Sequence, residues 1–532
     1  MLSIPPKRPV RFFNTTGPCR PWEHYMLPPA DRLVGAQLDR YLRDNLYWVL
    51  HAPRQTGKTT FLLDWAREIN SGGKAIACYV TVETCQGRTD MTEVIKTIAA
   101  AICVSSKDQG FPIPELPFDQ PELFLYRTMQ KWAELVSPKP LIVLFDETDV
   151  LESEPLIGFL RQLRAGFAIR EAGKFPVSIA LVGMRDLKDY ITAAKSGIAP
   201  NPGSPFNIKS DSVFISNFTK NDVVALFEQR TAETGQKITD EALDYIFEQS
   251  WGQPWIVNSL FLRATMRVLQ EDNYETVTLD HIIAAREQMI HARETHLDSL
   301  GVRLRDPKIR RIIELILVGN NDPDIGRTNP NVELAIDLGL VKWNTENGLT
   351  ISNPIYEEIF TRYLNSGYHD NLPPPSSWQW QKPDGSLDMD LLLNEFQSFW
   401  RENSEIWDQK TNYTEAFPHL LLMAFLQRVL NGGGRIEREA AAGRGRMDLL
   451  LEFHGIKYII EIKLVHQNST PERIKTLGLQ QISRYRDKVA PNAPSYLIIF
   501  DRRDNAKNIS WDERITWQEE IFPAGKITVL EC

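Results

Sequence analysis

Apolar and polar positions alternate along this chain in a small number of recognisable rhythms. "LYWVLHAPRQTGKTTFLLDWAREI", residues 46–69, reads as a continuous apolar run, a polar loop and an amphipathic helix. Three further apolar runs, "KAIACYVTVE", "PLIVLFDE" and "SIALVGMR", follow with helical stretches between them. That alternation predicts an α/β domain around a parallel sheet, from residue 1 to about 208, with an irregular Pro-rich start up to about residue 45. "NFTKNDVVALFEQRTAETG", "TDEALDYIFEQS" and "QPWIVNSLFLRATMRVLQ" carry helical periodicity, with Asn217 or Thr219 and Thr239 as caps, and predict a helical lid over 209–300. Between 301 and 366 the pattern gives helix, helix, hairpin, helix. A Pro-, Ser- and Trp-rich linker, 367–384, precedes a last segment, 385–532, with an apolar helix "EAFPHLLLMAFLQRVL", three strands, a helix and the strand "SYLIIFD".

Composition adds limits. The chain has 532 residues, 42% hydrophobic and 24% charged, enough for several independent cores. Its five cysteines form no CxxC pair, which argues against a disulfide framework or a zinc site and favours a reducing compartment. "MLSIPPKRPVRFFNTTG" lacks the apolar centre of a signal peptide and no apolar run is long enough to span a bilayer, so the expectation is a cytoplasmic protein without membrane contact. A net charge of −9 leaves nucleic-acid contact to local patches, such as Arg435, Arg438, Arg444 and Arg446. The order of elements over 301–366 is that of a winged-helix domain, but its second helix carries Glu333 and Asp337 and no Lys or Arg. Phosphate repulsion makes that helix a poor groove reader and favours a packing or regulatory role.

Two constellations carry chemistry. "APRQTGKTT" places Gly57, Lys58, Thr59 and Thr60 between a strand and a helix, with Ala52 where a first glycine is usual. Such a loop curls backbone N–H groups around a β-phosphate, extends a lysine to the β/γ-phosphates and offers a hydroxyl to Mg²⁺. A lone GKT is weak; the apolar strand ending in Asp146 and Glu147 strengthens it, one carboxylate for the Mg²⁺ shell and one for polarising water. Arg185 ends the next strand, either as a γ-phosphate sensor or as a surface ion pair, and Arg161, Arg164 and Arg170 offer an arginine finger or plain surface charge.

The second constellation is "RGRMDLLLEFHGIKYIIEIKLV", residues 444–465. A turn centred between His454 and Gly455 pairs Phe453 with Ile456 and brings Asp448 opposite Glu461, with Cα atoms roughly 4.5–5.5 Å apart. Period-2 alternation then sets Lys463 on the face of Glu461 and turns Ile460 and Ile462 to the other. Like charges opposite one another are unfavourable without a cation between them, a physical reason to expect Mg²⁺. Asp448, Glu461 and the carbonyl of Ile462 would supply oxygen ligands, and Lys463 would orient hydroxide or balance charge on the phosphate. Arg444 and Arg446 either contact phosphates or pair with nearby acids.

This second arrangement resembles the PD-(D/E)XK nuclease superfamily, whose core runs helix, three strands, helix, strand. The resemblance implies catalytic roles for Glu415 on the first helix and Gln481 on the later one, beside Tyr485. The spacing of Gln481 from Leu477 and Tyr485 puts all three on one buried stripe. The first constellation resembles the STAND-like branch of AAA+ ATPases, in which a GxP matching Gly252 and Pro254 lies near the nucleotide base, and "GPCRPWEHYMLPP" looks like the segment covering adenine, either through Tyr25 or with Tyr25 as a structural aromatic. Over nearly its whole length the chain looks like bacterial proteins that join an AAA-like ATPase to such a nuclease, through "LHAPRQTGKTT", "LVGMRDLKDY", "GQPWIVN", "NPIYEEI" and "NGGGRIEREAAAGRGRMDLL". The resemblance implies a P-loop parallel-sheet ATPase with helical lid and winged helix, followed by a restriction-endonuclease-like α/β domain, using ATP and Mg²⁺. It implies an ATP-gated nuclease on DNA, with an RNA nuclease or a nucleotide-switched binding or scaffold protein as alternatives, working as a homo-oligomer or with an accessory protein. Fused NTPase and nuclease modules commonly serve anti-phage defence or mobile elements.

Overall fold

The computed structural model describes residues 11–118, 121–184, 208–270, 274–292, 295–317, 329–344, 348–369, 380–410, 418, 421–423, 425–426, 434–442, 445–465, 470–489, 491–501, 503, 509–523 and 525–532. The chain packs as two units, Met1–Leu300 with Ile325–Glu357, and Gly301–Asp324 with Glu358–Cys532.

The first unit is built on a six-stranded sheet in the order β1-β6-β2-β5-β4-β3. Its strands are β1 (Leu33–Val34), β2 (Tyr47–His51), β3 (Ile76–Thr81), β4 (Leu141–Asp146), β5 (Ser178–Gly183) and β6 (Lys209–Ile215). All neighbours are parallel except β1, which runs antiparallel to β6. β4 and β5 are buried along their whole length, as expected for parallel strands covered on both faces. The pleat of β2 shows why: Tyr47 and Val49 enter one core with α2 (Met91–Asp108), α3 (Phe124–Val136) and α4 (Ser153–Phe167), while Trp48 and Leu50 pack on Phe61, Leu62 and Trp65 of α1 (Lys58–Ser71).

A helical group follows: α5 (Lys220–Thr234), α6 (Asp240–Ser250), α7 (Pro254–Arg263) and α8 (Leu279–His291). Of the two caps expected for α5, Thr219 fills the role, in a reciprocal capping box with Asp222, and Thr239 accepts from the Ala242 N–H at the start of α6. The turn into α7 passes through two left-handed residues, Trp251 (φ 47°) and Gly252 (φ 71°). Gly252 has no room for a side chain: a Cβ there would lie 1.8 Å from the Phe218 carbonyl oxygen. The N-terminal segment is fastened to the same helices. Phe13 packs on Tyr25, Phe227 and Phe261, with centroids 4.7–5.9 Å away, and Arg11 pairs with Glu233 of α5 at 2.9 Å. Beyond α8 the chain forms α9 (Pro307–Leu317), α10 (Pro330–Asp337), the hairpin β7 (Val341–Asn344) and β8 (Gly348–Ile351), and α11 (Pro354–His369), the element order read from the sequence.

The second unit centres on a six-stranded sheet, β13-β14-β12-β11-β10-β9, formed by β9 (Gly434–Ala442), β10 (Gly445–Phe453), β11 (Ile456–Val465), β12 (Ser495–Asp501), β13 (Thr516–Phe522) and β14 (Gly525–Glu531). β9, β10 and β11 are antiparallel neighbours, whereas β11, β12 and β14 run parallel. α12 (Met389–Lys410) packs Leu392, Leu393 and Phe396 on one face, together with Leu421, Leu422 and Leu426. α13 (Pro471–Val489) crosses from β11 to β12 and covers the other face with Leu479, Ile482 and Tyr485. The pattern reading omitted α12 and the β13–β14 hairpin, although "TWQEEIFPAGKITVLE" carries two apolar runs about a Pro-Ala-Gly turn. Among the described residues no helix is long and apolar enough to cross a membrane.

Gly252→Ala tests the most crowded turn: a Cβ forced both into the left-handed region and onto backbone is expected to cost more than about 2 kcal/mol in denaturant unfolding of the first unit.

Candidate functional site

The phosphate loop leaves the C-terminal end of β2, and Gly57, in a left-handed conformation at φ 99°, turns the chain into α1. β5 separates β2 from β4, so the loop and the β4 carboxylates meet at one sheet edge across an intervening strand. There the Thr59 hydroxyl donates to Asp146 Oδ2 at 2.6 Å. Tyr79, from β3, donates to the same oxygen at 3.2 Å, and the Glu147 N–H donates to Oδ1 at 2.9 Å. Glu147 itself sits at φ 58°, a strained position for a carboxylate residue. Lys58 is turned back, its Nζ donating to the carbonyls of Ala52 and Pro53 at 2.9 and 3.0 Å.

These residues open onto a cavity of about 410 Å³. Of the sequence candidates, Tyr25, Gly57, Lys58, Thr59, Thr60, Glu147 and Pro254 all line it. Gly252 serves the turn that delivers Pro254 and Trp255. Tyr25 is fully buried, flanked by Phe13 and by the Arg11 guanidinium 5.0 Å from its ring centroid, and burial pushes its hydroxyl up to about 12. Thr60 accepts from the Cys19 N–H at 3.0 Å, which ties the N-terminal segment to the loop.

Burial shifts the charged groups at this end of the sheet. Burial, reinforced by Asp149 and Asp146, raises the Glu147 pKa above the usual carboxylate range. Burial also raises that of Asp149, whose Oδ1 is buried without a hydrogen-bond partner. The pKa of Lys58 is pulled down by burial against the opposing pull of Glu147, Asp146 and Asp149. Asp146, Glu147 and Asp149 follow one another at the end of β4, and the Thr59 hydroxyl reaches only the first of them; among the described residues no group of three or more acidic, His or Cys side chains is placed to hold a metal ion. Arg32, Tyr79, Asp149 and Trp255 were missed by sequence reasoning. The run "DETD" was a readable signal for Asp149; Arg32 lies in a short helical turn with no periodicity to flag it.

Parts of the same unit come close to the loop from later in the chain. A Cβ on Gly339, just after α10, would lie 2.6 Å from Pro53 Cβ. Lys342 of β7 places its ammonium 2.8 Å from the Trp251 ring centroid. His296 packs on Trp255, with centroids 4.7 Å apart, and its Nε2 is 2.8 Å from the Tyr356 hydroxyl.

The second constellation lies on β10 and β11. His454 (φ 48°) and Gly455 (φ 80°) make the two-residue turn, both left-handed as a type I′ hairpin requires. The pairing runs from Phe453↔Ile456 to Leu449↔Ile460, one step short of Asp448 and Glu461. The side chain of Asp448 is outside the described residues, as are Glu415, Arg185 and Arg444. Glu461 is 1% exposed, and Lys463 Nζ donates to its Oε1 at 2.6 Å. The pleat is the expected one: Ile460 and Ile462 pack toward α12, while Ile459 and Val465 pack toward α13 on the face of Glu461. Glu461 pairs with Leu497 of β12, and a Cβ on Gly478 of α13 would lie 2.5 Å from Leu497 Cδ1, so α13 crosses the sheet close to this carboxylate.

Two expectations need correction. Leu477 is 44% exposed, so the buried stripe of α13 runs through Gly478, Ile482 and Tyr485; Gln481 is half-buried beside it, because an apolar residue three or four places away does not fix which side of a helix is covered. Arg170 is 9% exposed and donates to the carbonyls of Asn45 and Phe167 at 2.9 and 2.7 Å, which makes it a structural residue instead of a finger, whereas Arg161 and Arg164 are exposed on α4.

Sheet order, phosphate loop and carboxylate strand define the first unit as a P-loop ATPase fold, and the second unit adds a nuclease-type domain. Residues 413–499 match the family model described as the PD-(D/E)XK nuclease superfamily. The chain is thus a fusion of an ATPase-like fold and a PD-(D/E)XK nuclease domain. Among solved structures it is similar to the Walker-type ATPase of Pyrococcus abyssi, at 14% identity and TM-score 0.47, covering 65% of this chain and 99% of that one. It is also similar to Cdc6p of Pyrobaculum aerophilum, at 14% identity and TM-score 0.35, covering 62% and 91%. A third is the RuvB Holliday junction branch migration motor of Thermotoga maritima, at 12% identity and TM-score 0.33, covering 60% and 90%. No curated protein matches the chain.

His296, packed against Trp255, carries a pH signature. Burial, with Arg54 adding to it, lowers the His296 pKa from 6.5 to about 4. Above pH 6.5 the ring is neutral in both the folded and unfolded chain. Below it the unfolded chain takes up a proton that the folded one refuses until about pH 4, so stability falls across that window by up to about 3 kcal/mol. Denaturation at pH 7.5 and 4.5 is expected to show a shallower pH dependence in His296→Gln.

Proposed function

We propose that this protein is an ATP-regulated, Mg²⁺-dependent nuclease that hydrolyses phosphodiester bonds, with DNA the favoured substrate. The observation that carries the reading is the ion pair of Glu461 and Lys463, 2.6 Å apart, with the carboxylate 1% exposed on β11, whose pairing with β10 runs up to that of Ile460 with Leu449, the residue next to Asp448. A buried carboxylate with a lysine two residues along and a second acid on the neighbouring strand has little structural economy in a hairpin and fits a charge-handling site.

In this reading Asp448, Glu461 and the carbonyl of Ile462 would hold Mg²⁺, which supplies Lewis-acid stabilisation of the phosphate and a more acidic bound water. Lys463 is fixed by Glu461 so that its ammonium offsets negative charge developing on the phosphate oxygens. Gln481, half-buried on α13, orients water or substrate, and Glu415 completes the carboxylate set. In the ATPase unit Thr59 and Asp146 would hold a second Mg²⁺, Lys58 would exchange its loop carbonyls for the phosphates, and Glu147 would accept a proton from attacking water. Its raised pKa supports that role by making it a better base than an exposed carboxylate. Arg185 senses the γ-phosphate, Pro254 and Tyr25 bound the base, and assembly of copies or an accessory protein gates cutting. By analogy with other fused NTPase and nuclease modules, the setting is anti-phage defence or mobile-element biology.

The test is cleavage of plasmid DNA and tRNA by the full chain with Mg²⁺, with and without ATP. Glu461→Ala and Lys463→Ala are expected to lose at least about 100-fold in cleavage rate, and Lys58→Ala to lose ATP binding together with any ATP dependence of cutting. Cleavage unchanged in both nuclease variants would overturn the assignment; preference for tRNA would move the substrate to RNA.

A further inference from the structure

Arg32 is the least expected side chain in the nucleotide cavity. It ends the turn Pro29–Arg32, is 8% exposed, and lines the cavity beside Gly57, Lys58 and Thr60. One guanidinium nitrogen, Nη2, lies 2.7 Å from where a Cβ on Gly57 would stand, so the group rests directly on the phosphate loop. The other, Nη1, donates to the Ser216 carbonyl at 3.0 Å. Nε is buried with no hydrogen-bond partner, and among the described residues no carboxylate lies within ion-pair distance. The plane of charge is backed by Phe218, 4.8 Å from centroid to Cζ. Burial draws its pKa down to about 10, with Asp222 pulling the other way.

A buried guanidinium with an idle donor and no counter-ion is costly, and the cost is relieved when an anion completes it. The planar fork of donors matches phosphate oxygens better than an ammonium does. We propose that Arg32 is a phosphate-binding residue of this cavity, and that it links the bound phosphates to the lid helices.

The link is covalently short. The Ser216 N–H and hydroxyl both bond back to the Arg32 carbonyl, at 2.9 and 3.0 Å. Two residues on, the Phe218 N–H donates to the Gly252 carbonyl at 2.8 Å, and α5 begins at Lys220. A phosphate drawn onto the guanidinium therefore acts at once on the loop at Gly57 and on the strand that enters α5 and touches the turn into α7. Arg32 would read the phosphate chain, leaving recognition of the base to other residues.

This inference rests on the reading of the cavity as a nucleotide site, and the experiment separates the two. A fluorescent ATP analogue bound to the full chain is competed with ADP and with adenosine, in wild type, Arg32→Gln, Arg32→Lys and Lys58→Ala. In Arg32→Gln the ADP affinity is expected to fall about 10- to 100-fold while adenosine competes as in wild type. The same variant is expected to lose ADP-induced protection of Lys220–Thr234 from hydrogen exchange. Unchanged ADP affinity overturns the proposal, and so does an equal loss for ADP and adenosine, which marks a merely structural arginine. If Arg32→Gln does not fold, Arg32→Lys decides: ADP weakened with adenosine retained supports phosphate binding, and wild-type affinity for both overturns it. Failure of wild type to bind the analogue removes the nucleotide site and this inference together. Loss in Lys58→Ala with wild-type binding in Arg32→Gln removes only the inference.

Discussion

The hydrogen bond from Thr59 to Asp146, 2.6 Å long, is the constraint on which the first unit is organised. It joins the first turn of α1 to the end of β4, and β2, the strand from which the phosphate loop leaves, is not a neighbour of β4, since β5 runs between them. Only a sheet with that crossover brings the start of α1 and the end of β4 to one point. Once they meet, the remaining chemistry is forced. Asp146 is shared by a hydroxyl, a phenol and a backbone N–H, so it is fixed as an acceptor. Burial of the neighbouring Glu147 and Asp149 raises their affinity for protons. The loop lysine borrows carbonyls from its own backbone.

What could be read from the sequence depended on how local the governing physics was. The phosphate loop and the carboxylates at a strand end are local patterns with fixed spacing, and Gly57, Lys58, Thr59 and Glu147 all face the cavity. The β10–β11 register was legible for a related reason: a two-residue turn leaves a single pairing, and alternation then assigns every side chain to a face. Arg32 was not legible, because its role is made by Ser216 and Phe218, some 184 residues further along. The face of α13 was misread from a single apolar neighbour. Burial there is decided by close approach at Gly478, a residue that leaves no hydrophobic mark.

The two constellations use charge in opposite ways. At the end of β4, Lys58 stays on its own loop, donating to the Ala52 and Pro53 carbonyls, apart from the acids. On β11, Lys463 already lies against Glu461. The Glu461 carboxylate is therefore already engaged by an ammonium.

The ties between the N-terminal segment and α5 give the chain a timetable. Arg11 bonds Glu233 across 222 residues, and Met26 and Gln229 bond across 203. A ribosome releases the chain from its N-terminus, so Arg11 and Met26 lack these partners until α5 has been made. The last cavity residue is Asn258, and β9 of the nuclease sheet starts only at Gly434. During synthesis the whole wall of the nucleotide cavity is available to close before the first nuclease strand exists. A growing chain thus has the means to bind nucleotide before it has any means to cut.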